Sequence, residues 1–215
     1  MVARVVPDGE AGRADAVRAL RGGGIVALPT DTVYGIGVDL RSADGIERLF
    51  AAKERPLDRG IVLLLADVAQ AASLAEWPPV AAALADAFWP GGLTLVVPQR
   101  PDAALPPVLT GGAATIGLRV PNHACPRALA EALGPLPVTS ANLSGRPEAG
   151  DAEAILEQLG DRIELIVDGG PSRGGPASTV VQCTATETRI LRPGAISPDV
   201  IAAALRAANL ARPIG

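Results

Sequence analysis

Gly24-Ile25-Val26-Ala27-Leu28 is an apolar run of strand length that stops at Pro29. From Ser42, a residue suited to capping a helix, the apolar residues Ile46, Leu49 and Phe50 recur at helical spacing up to Glu54. Between the two lies the polar segment Pro29-Thr30-Asp31-Thr32-Val33-Tyr34-Gly35. A strand that ends in a polar loop feeding a helix commits the chain to an α/β arrangement. It also places polar groups where such folds gather their binding residues.

The end of that helix stands out. Lys53 follows Ile46 by seven residues and Phe50 by three, in line with the apolar stripe, whereas a solvated lysine belongs on the opposite face. It is the one lysine in a chain with eighteen arginines, so a compact ammonium is used where every other cation is a planar guanidinium. The competing reading is a lysine whose stem covers apolar surface while its head sits at the favourable C-terminal end of the helix.

The same periodicities extend the pattern. Strands are expected at 4–6, 24–28, 61–65, 93–97, 115–120, 137–139, 163–167, 178–182 and 188–192, the last two as a hairpin. Helices are expected at 11–21, 42–54, 67–75, 79–88, 126–133, 151–159 and 198–208. Residues 98–113 and 171–177 are rich in Gly and Pro and read as loops. Strands alternating with helices, with antiparallel character near the end, imply a twisted mixed β-sheet flanked by helices. No internal repeat or dividing linker appears, so residues 1–215 are read as a single domain.

Composition narrows the function. Net charge is −4 and the pI about 5.1, which argues against a surface that coats nucleic acid and leaves room only for a local basic cleft. Aromatic residues make up 2%, so the core must be built from aliphatic side chains. Cys125 and Cys183 are isolated and read as reduced thiols of a cytoplasmic protein. There is no signal-like or membrane-length apolar stretch. His123, the single histidine, follows Pro121-Asn122 and reads as a structural turn residue, which leaves histidine-rich metal sites and Ser-His catalysis without material. Gly35-Ile36-Gly37 lacks the third glycine of a dinucleotide fingerprint.

What remains at the ends of expected strands is Thr30 and Thr32, Lys53 and Arg55, Thr115 and Arg119, Ser140 and Asn142, Ser178, and Arg192. Strand alternation puts Thr115, Gly117 and Arg119 on one face. Cations, hydroxyls and an amide without a general-base histidine suit holding a polyphosphate and a carboxylate, as in nucleotidyl transfer.

Seven segments carry a resemblance. They are Pro29-Thr-Asp-Thr-Val-Tyr-Gly35, Lys53-Glu-Arg-Pro56, Leu93-Thr-Leu-Val96, Leu118-Arg-Val-Pro121, Thr139-Ser-Ala-Asn-Leu-Ser-Gly145, Ser178-Thr-Val-Val181 and Ile190-Leu-Arg-Pro-Gly194. In this order they resemble the YrdC/Sua5 family of threonylcarbamoyl-AMP synthases. The resemblance implies a sheet curled around a concave cleft. It implies a nucleotidyltransferase that joins L-threonine, bicarbonate or CO2, and ATP into L-threonylcarbamoyl-AMP and pyrophosphate. That product serves the threonylcarbamoyl modification of adenosine 37 in tRNAs reading ANN codons, through a tRNA threonylcarbamoyl-transferase complex. Lys53, Arg55, Ser140 and Asn142 would form the catalytic constellation. Thr30, Arg119 and Ser178 would hold threonine; Thr115 and Arg192, with the constellation, would hold ATP. Mg2+ would ride on the phosphates rather than in a protein cage. Ending at Gly215, the chain resembles the short form without an extra C-terminal domain. At Glu148-Ala149-Gly150 it departs from the Ser/Thr-rich stretch of many relatives, which leaves open whether these residues replace a hydroxyl contact to ATP. Two other readings use the same residues: a double-stranded RNA-binding module with affinity for phosphates, and a carbamoyl-transfer domain related to hydrogenase maturation.

Overall fold

A computed structural model describes residues 2–172 and 174–210. The chain end at Gly215, on which the short-form reading rests, lies outside the described residues, as does Arg173 of the 171–177 loop. In chain order the elements are β1 (Arg4–Pro7), α1 (Glu10–Arg21), β2 (Val26–Leu28), β3 (Gly35–Gly37), α2 (Ala43–Lys53), β4 (Val62–Leu64) and a 3₁₀ turn (Val68–Ser73). There follow α3 (Pro79–Phe88), β5 (Leu93–Pro98), α4 (Pro107–Thr110), β6 (Thr115–Arg119), α5 (Ala124–Leu133) and β7 (Leu136–Ser140). The last are α6 (Ala152–Leu159), β8 (Leu165–Asp168), β9 (Thr179–Cys183), β10 (Thr188–Arg192) and α7 (Pro198–Ala207).

The ten strands form one open, mixed sheet in the order β1-β8-β2-β3-β7-β4-β6-β5-β9-β10. Antiparallel pairs are not confined to the end of the chain. They occur at β2–β3, β3–β7, β4–β7 and β5–β6 as well as in the β9–β10 hairpin. Two of these pairs are made by β3, which lies in a segment expected as a loop. The chain doubles back after the polar segment, and Gly35–Gly37 pairs with β2 on one side and β7 on the other. Glycine is required there because Val138 lies across the strand. A Cβ on Gly35 would sit 2.5 Å from Val138 Cγ1, and one on Gly37 would sit 2.8 Å from Val138 Cγ2. Residues 67–75, expected as an α-helix, wind as the tighter 3₁₀ turn, with Asp67 Oδ1 accepting from the Ala69 and Gln70 amides.

Strand alternation divides the core in two. Ala27, Ile36, Leu63, Leu95, Ile116, Leu118 and Val181 point to a face packed with residues of α2, α3, α6 and α7, such as Leu49, Leu84, Ile155 and Ile201. Val26, Leu28, Leu64, Val138 and Leu165 point to the other face, where α1 and α5 supply Ala16, Leu20, Cys125 and Leu129. That second layer is partial. Beyond α1 and α5 the same face carries Gly117, Thr94 and Arg119, and among the described residues none from a helix lines the cavity formed there.

Candidate active site

The cavity is floored by Val62 and Leu64 of β4, Val138 and Ser140 of β7, Arg119 of β6 and Thr94 of β5. Thr30, Thr32 and Tyr34 close one side, Ala177, Ser178 and Arg192 another, and Arg55 and Glu148 the mouth. The cavity volume is about 160 Å³, and the cavity opens to solvent.

Arg119 sits at the C-terminal end of β6 with its side chain 6% exposed. Its Nε donates to the Gly91 carbonyl at 2.9 Å, one terminal nitrogen to Thr32 Oγ1 at 2.9 Å and the other to Asp31 Oδ1 at 2.7 Å. Three of the five N–H groups are thereby used, and each terminal nitrogen keeps one. Burial lowers the Arg119 pKa, with Asp31 opposing that effect. A desolvated guanidinium with two free donors is a fork for a carboxylate.

Hydroxyls surround it. Thr30 Oγ1 donates to the Val33 carbonyl at 2.6 Å and accepts from the Thr32 amide, which fixes the Pro29–Val33 turn. Thr94 and Ser178 share a hydrogen bond of 2.8 Å, and Arg192 donates to the Ser178 carbonyl at 2.8 Å. Tyr34, the single tyrosine, donates to the Gly170 carbonyl at 2.6 Å and accepts from the Gly169 amide at 3.0 Å, tying the polar segment to the 168–170 turn. Its burial raises the phenol's pKa, so it stays a neutral strut.

At the mouth, Arg55 Nε donates to the Arg59 carbonyl at 3.0 Å and a terminal nitrogen to the Gly60 carbonyl at 2.6 Å, which closes the 55–60 loop. Its pKa is lowered, first by burial and then by neighbouring Arg59. Glu148 is exposed and is the one carboxylate on the cavity wall among the described residues.

Seven of the ten residues singled out in the sequence line this cavity: Thr30, Thr32, Arg55, Arg119, Ser140, Ser178 and Arg192. Lys53 and Asn142 lie directly behind the wall, bonded to each other and to Ser140. Thr115 is four residues from Arg119 on β6, at the strand's far end and outside the lining. Asp31 and Thr94 were missed. Each has a signal in hindsight: a carboxylate inside the Pro29–Gly35 segment, and a hydroxyl inside the otherwise apolar Leu93–Val97 run. His123, read as structural, caps α5 by accepting from the Cys125 amide. Both cysteines are free and buried. Among the described residues no group of three His, Cys, Asp or Glu side chains is placed to hold a metal ion, and no helix is long and apolar enough to cross a membrane.

The family model for Sua5, YciO and YrdC, described as "Telomere recombination", matches residues 18–194. The chain belongs to the Sua5/YciO/YrdC family. This family member is 41% identical over 194 residues to a threonylcarbamoyl-AMP synthase of Bacillus subtilis, covering 89% of its own length and 56% of the relative. It is 37% identical over 174 residues to a threonylcarbamoyl-AMP synthase of Idiomarina loihiensis, covering 79% and 87%. Its fold matches the crystal structure of Pyrococcus abyssi Sua5 complexed with L-threonine, with a TM-score of 0.86 and 35% identity over all of this chain and 62% of that one. The chain thus spans little more than half the length of the Bacillus and Pyrococcus proteins.

Proposed function

We propose that this family member makes L-threonylcarbamoyl-AMP and pyrophosphate from L-threonine, bicarbonate or CO2, and ATP, as a nucleotidyltransferase. The observation that carries this reading is Arg119. It is a buried guanidinium with two unused N–H groups, ringed by the hydroxyls of Thr32, Thr94 and Ser178, in a cavity that continues to Arg55 and Arg192. A carboxylate seat beside a cationic mouth suits an amino acid and a polyphosphate held in one space. The names of the Bacillus and Idiomarina relatives, and the L-threonine bound to the Pyrococcus protein, support the choice of substrates.

In this reading Arg119 takes the threonine carboxylate, with Thr30 and Ser178 shaping its seat. Arg55 and Arg192 take the phosphates of the nucleotide, and Ser140, whose proton goes to Asn142 Oδ1, offers its lone pairs to an N–H or O–H of the ligands, while Lys53 and Asn142 complete the constellation from behind. Thr115 would reach only the part of the nucleotide that extends past the far end of β6. The amine of threonine adds to CO2 and releases a proton, giving a carbamate. A carbamate oxygen then forms a bond to the α-phosphorus of ATP as the bond to pyrophosphate breaks. Charge gathers on the phosphates as it does so, and the arginines lie where they would offset it. Magnesium would arrive as the nucleotide's own counter-ion, since Glu148 is the single carboxylate on the wall among the described residues. The product would pass in the cytoplasm to a tRNA threonylcarbamoyl-transferase complex.

The test is pyrophosphate release with ATP and bicarbonate, with and without L-threonine. Release that depends on threonine is expected. Salt-sensitive RNA binding with no threonine-dependent turnover would replace this reading with the RNA-binding one.

A further inference from the structure

Lys53 is 2% exposed, at the last turn of α2, and does not reach the cavity. Its Nζ donates to the Ser140 carbonyl, to the Asn142 carbonyl at 2.7 Å and to Asn142 Oδ1 at 3.2 Å. An ammonium has three protons, so none is left for a ligand. The Lys53 carbonyl in turn accepts from the Ser144 amide at 3.0 Å, so backbone and side chain both grip the 140–144 turn.

Asn142 has no freedom either. Its Nδ2 donates to the Leu143 carbonyl at 3.0 Å and to the Arg146 carbonyl at 2.7 Å, which fixes the amide with Oδ1 toward Lys53. Ser140 Oγ lies 2.7 Å from that same Oδ1. A carbonyl oxygen only accepts, so the serine proton is committed to Asn142 and its direction is set. Lys53, Asn142 and Ser140 therefore form one chain of donors and acceptors that runs from the end of α2 to the cavity wall.

We propose that Lys53 is a positioning residue. From inside the wall its ammonium clamps the Ser140–Asn142 turn and, through Asn142, fixes the Ser140 hydroxyl that faces the ligand. This assigns the chain's single lysine to the machinery without any contact to phosphate. The kinetic arm of the test rests on the proposed reaction; the exchange arm does not.

The first measurement is hydrogen–deuterium exchange of the unliganded protein with Lys53→Met. Peptides covering 140–146 should exchange at least roughly tenfold faster than in the wild type, with α3 unchanged, as expected of a turn that has lost its local constraint. The second is a double-mutant cycle on threonine-dependent pyrophosphate release. Lys53→Met and Ser140→Ala should each lower kcat/KM by roughly tenfold or more, and the double variant should stay within about threefold of the poorer single one, because the two residues act as a unit. Effects that multiply would mean that Lys53 meets the ligand independently, and would overturn the proposal. Unchanged exchange at 140–146 would overturn it whatever the activity. If the wild type releases no pyrophosphate, the functional reading falls and the exchange result still decides this one. If methionine at 53 prevents folding, Lys53→Gln, which keeps an N–H donor, takes its place in both measurements.

Discussion

Arg119 and Lys53 are both buried cations, and they are kept charged by different means. Arg119 has a carboxylate, Asp31, beside it, whereas Lys53 has only neutral oxygens. Burial, with a smaller push from Arg55 and against the pull of Glu148, lowers the Lys53 pKa from 10.5 to about 8. The sign of its effect on stability follows. Between about pH 8 and 10.5 the unfolded chain holds a proton on Lys53 that the folded one has lost, so stability from this group rises with pH across that window. Below pH 8 the full cost of the buried ammonium is present. Urea unfolding of wild type against Lys53→Met should show the wild type gaining by roughly 2–3 kcal/mol between pH 7.5 and 10, at 1.36 kcal/mol for each pKa unit. A difference that does not change with pH would mean the ammonium is not desolvated. For Arg119 the test is geometric. Arg119→Lys keeps the charge and loses the fork, so threonine should bind about tenfold or more weaker while ATP is little affected, as read by calorimetry. Equal losses for both ligands would remove Arg119 from the carboxylate seat. The cation itself was legible in the sequence, because strand alternation put Arg119 on the same face as Gly117. Its partner Asp31 was not, since nothing in the spacing says which side chain of a turn will meet a strand 88 residues further along the chain.

Among the elements, those with strong end signals were read closely. Helix α3 starts at Pro79 and stops before Trp89-Pro90, where the rigid ring and the missing N–H mark its limits in the sequence itself. Strand β3 was hidden for the opposite reason. Gly-Ile-Gly has little strand propensity, and the need for its glycines comes from Val138, which lies over both of them and is distant in the sequence. That origin can be tested. Gly37→Ala would put a methyl 2.8 Å from Val138 Cγ2 and 2.9 Å from the Pro137 carbonyl oxygen, so side chain or backbone must shift. Overpacking of this kind costs about 1–3 kcal/mol, or roughly 3–10 °C of Tm in a domain of this size. Gly9→Ala is the control, because a Cβ there meets nothing within 4 Å. A Gly37→Ala variant that melts with the wild type would show that β3 is not held against β7 as described.

For the whole molecule, the decisive feature is that one face of the sheet is only partly covered. Helices α1 and α5 bury the strip around β8, β2 and β7, and the strip running on through β4, β6 and β5 is left to the cavity. The wall is therefore assembled from residues distant in sequence, from Thr30 near the start to Arg192 near the end. A ligand seated there touches β4, β5, β6 and β7 and the approach to β9 at once, so its binding energy acts on the folding of the sheet as a unit rather than on one loop. Anything that binds the folded state and not the unfolded chain stabilises by mass action, about 2.7 kcal/mol at a hundred times Kd. For a chain of this size that corresponds to roughly 5–10 °C in Tm. Thermal melts with saturating L-threonine, with ATP, and with both should show single transitions moved upward, with the shift from threonine lost in Arg119→Lys and the shift from ATP retained. A melt in which threonine raises only an early partial transition would mean that the seat belongs to a locally unfolding segment. In that case the cavity would not be the feature that ties β4, β5, β6 and β7 together.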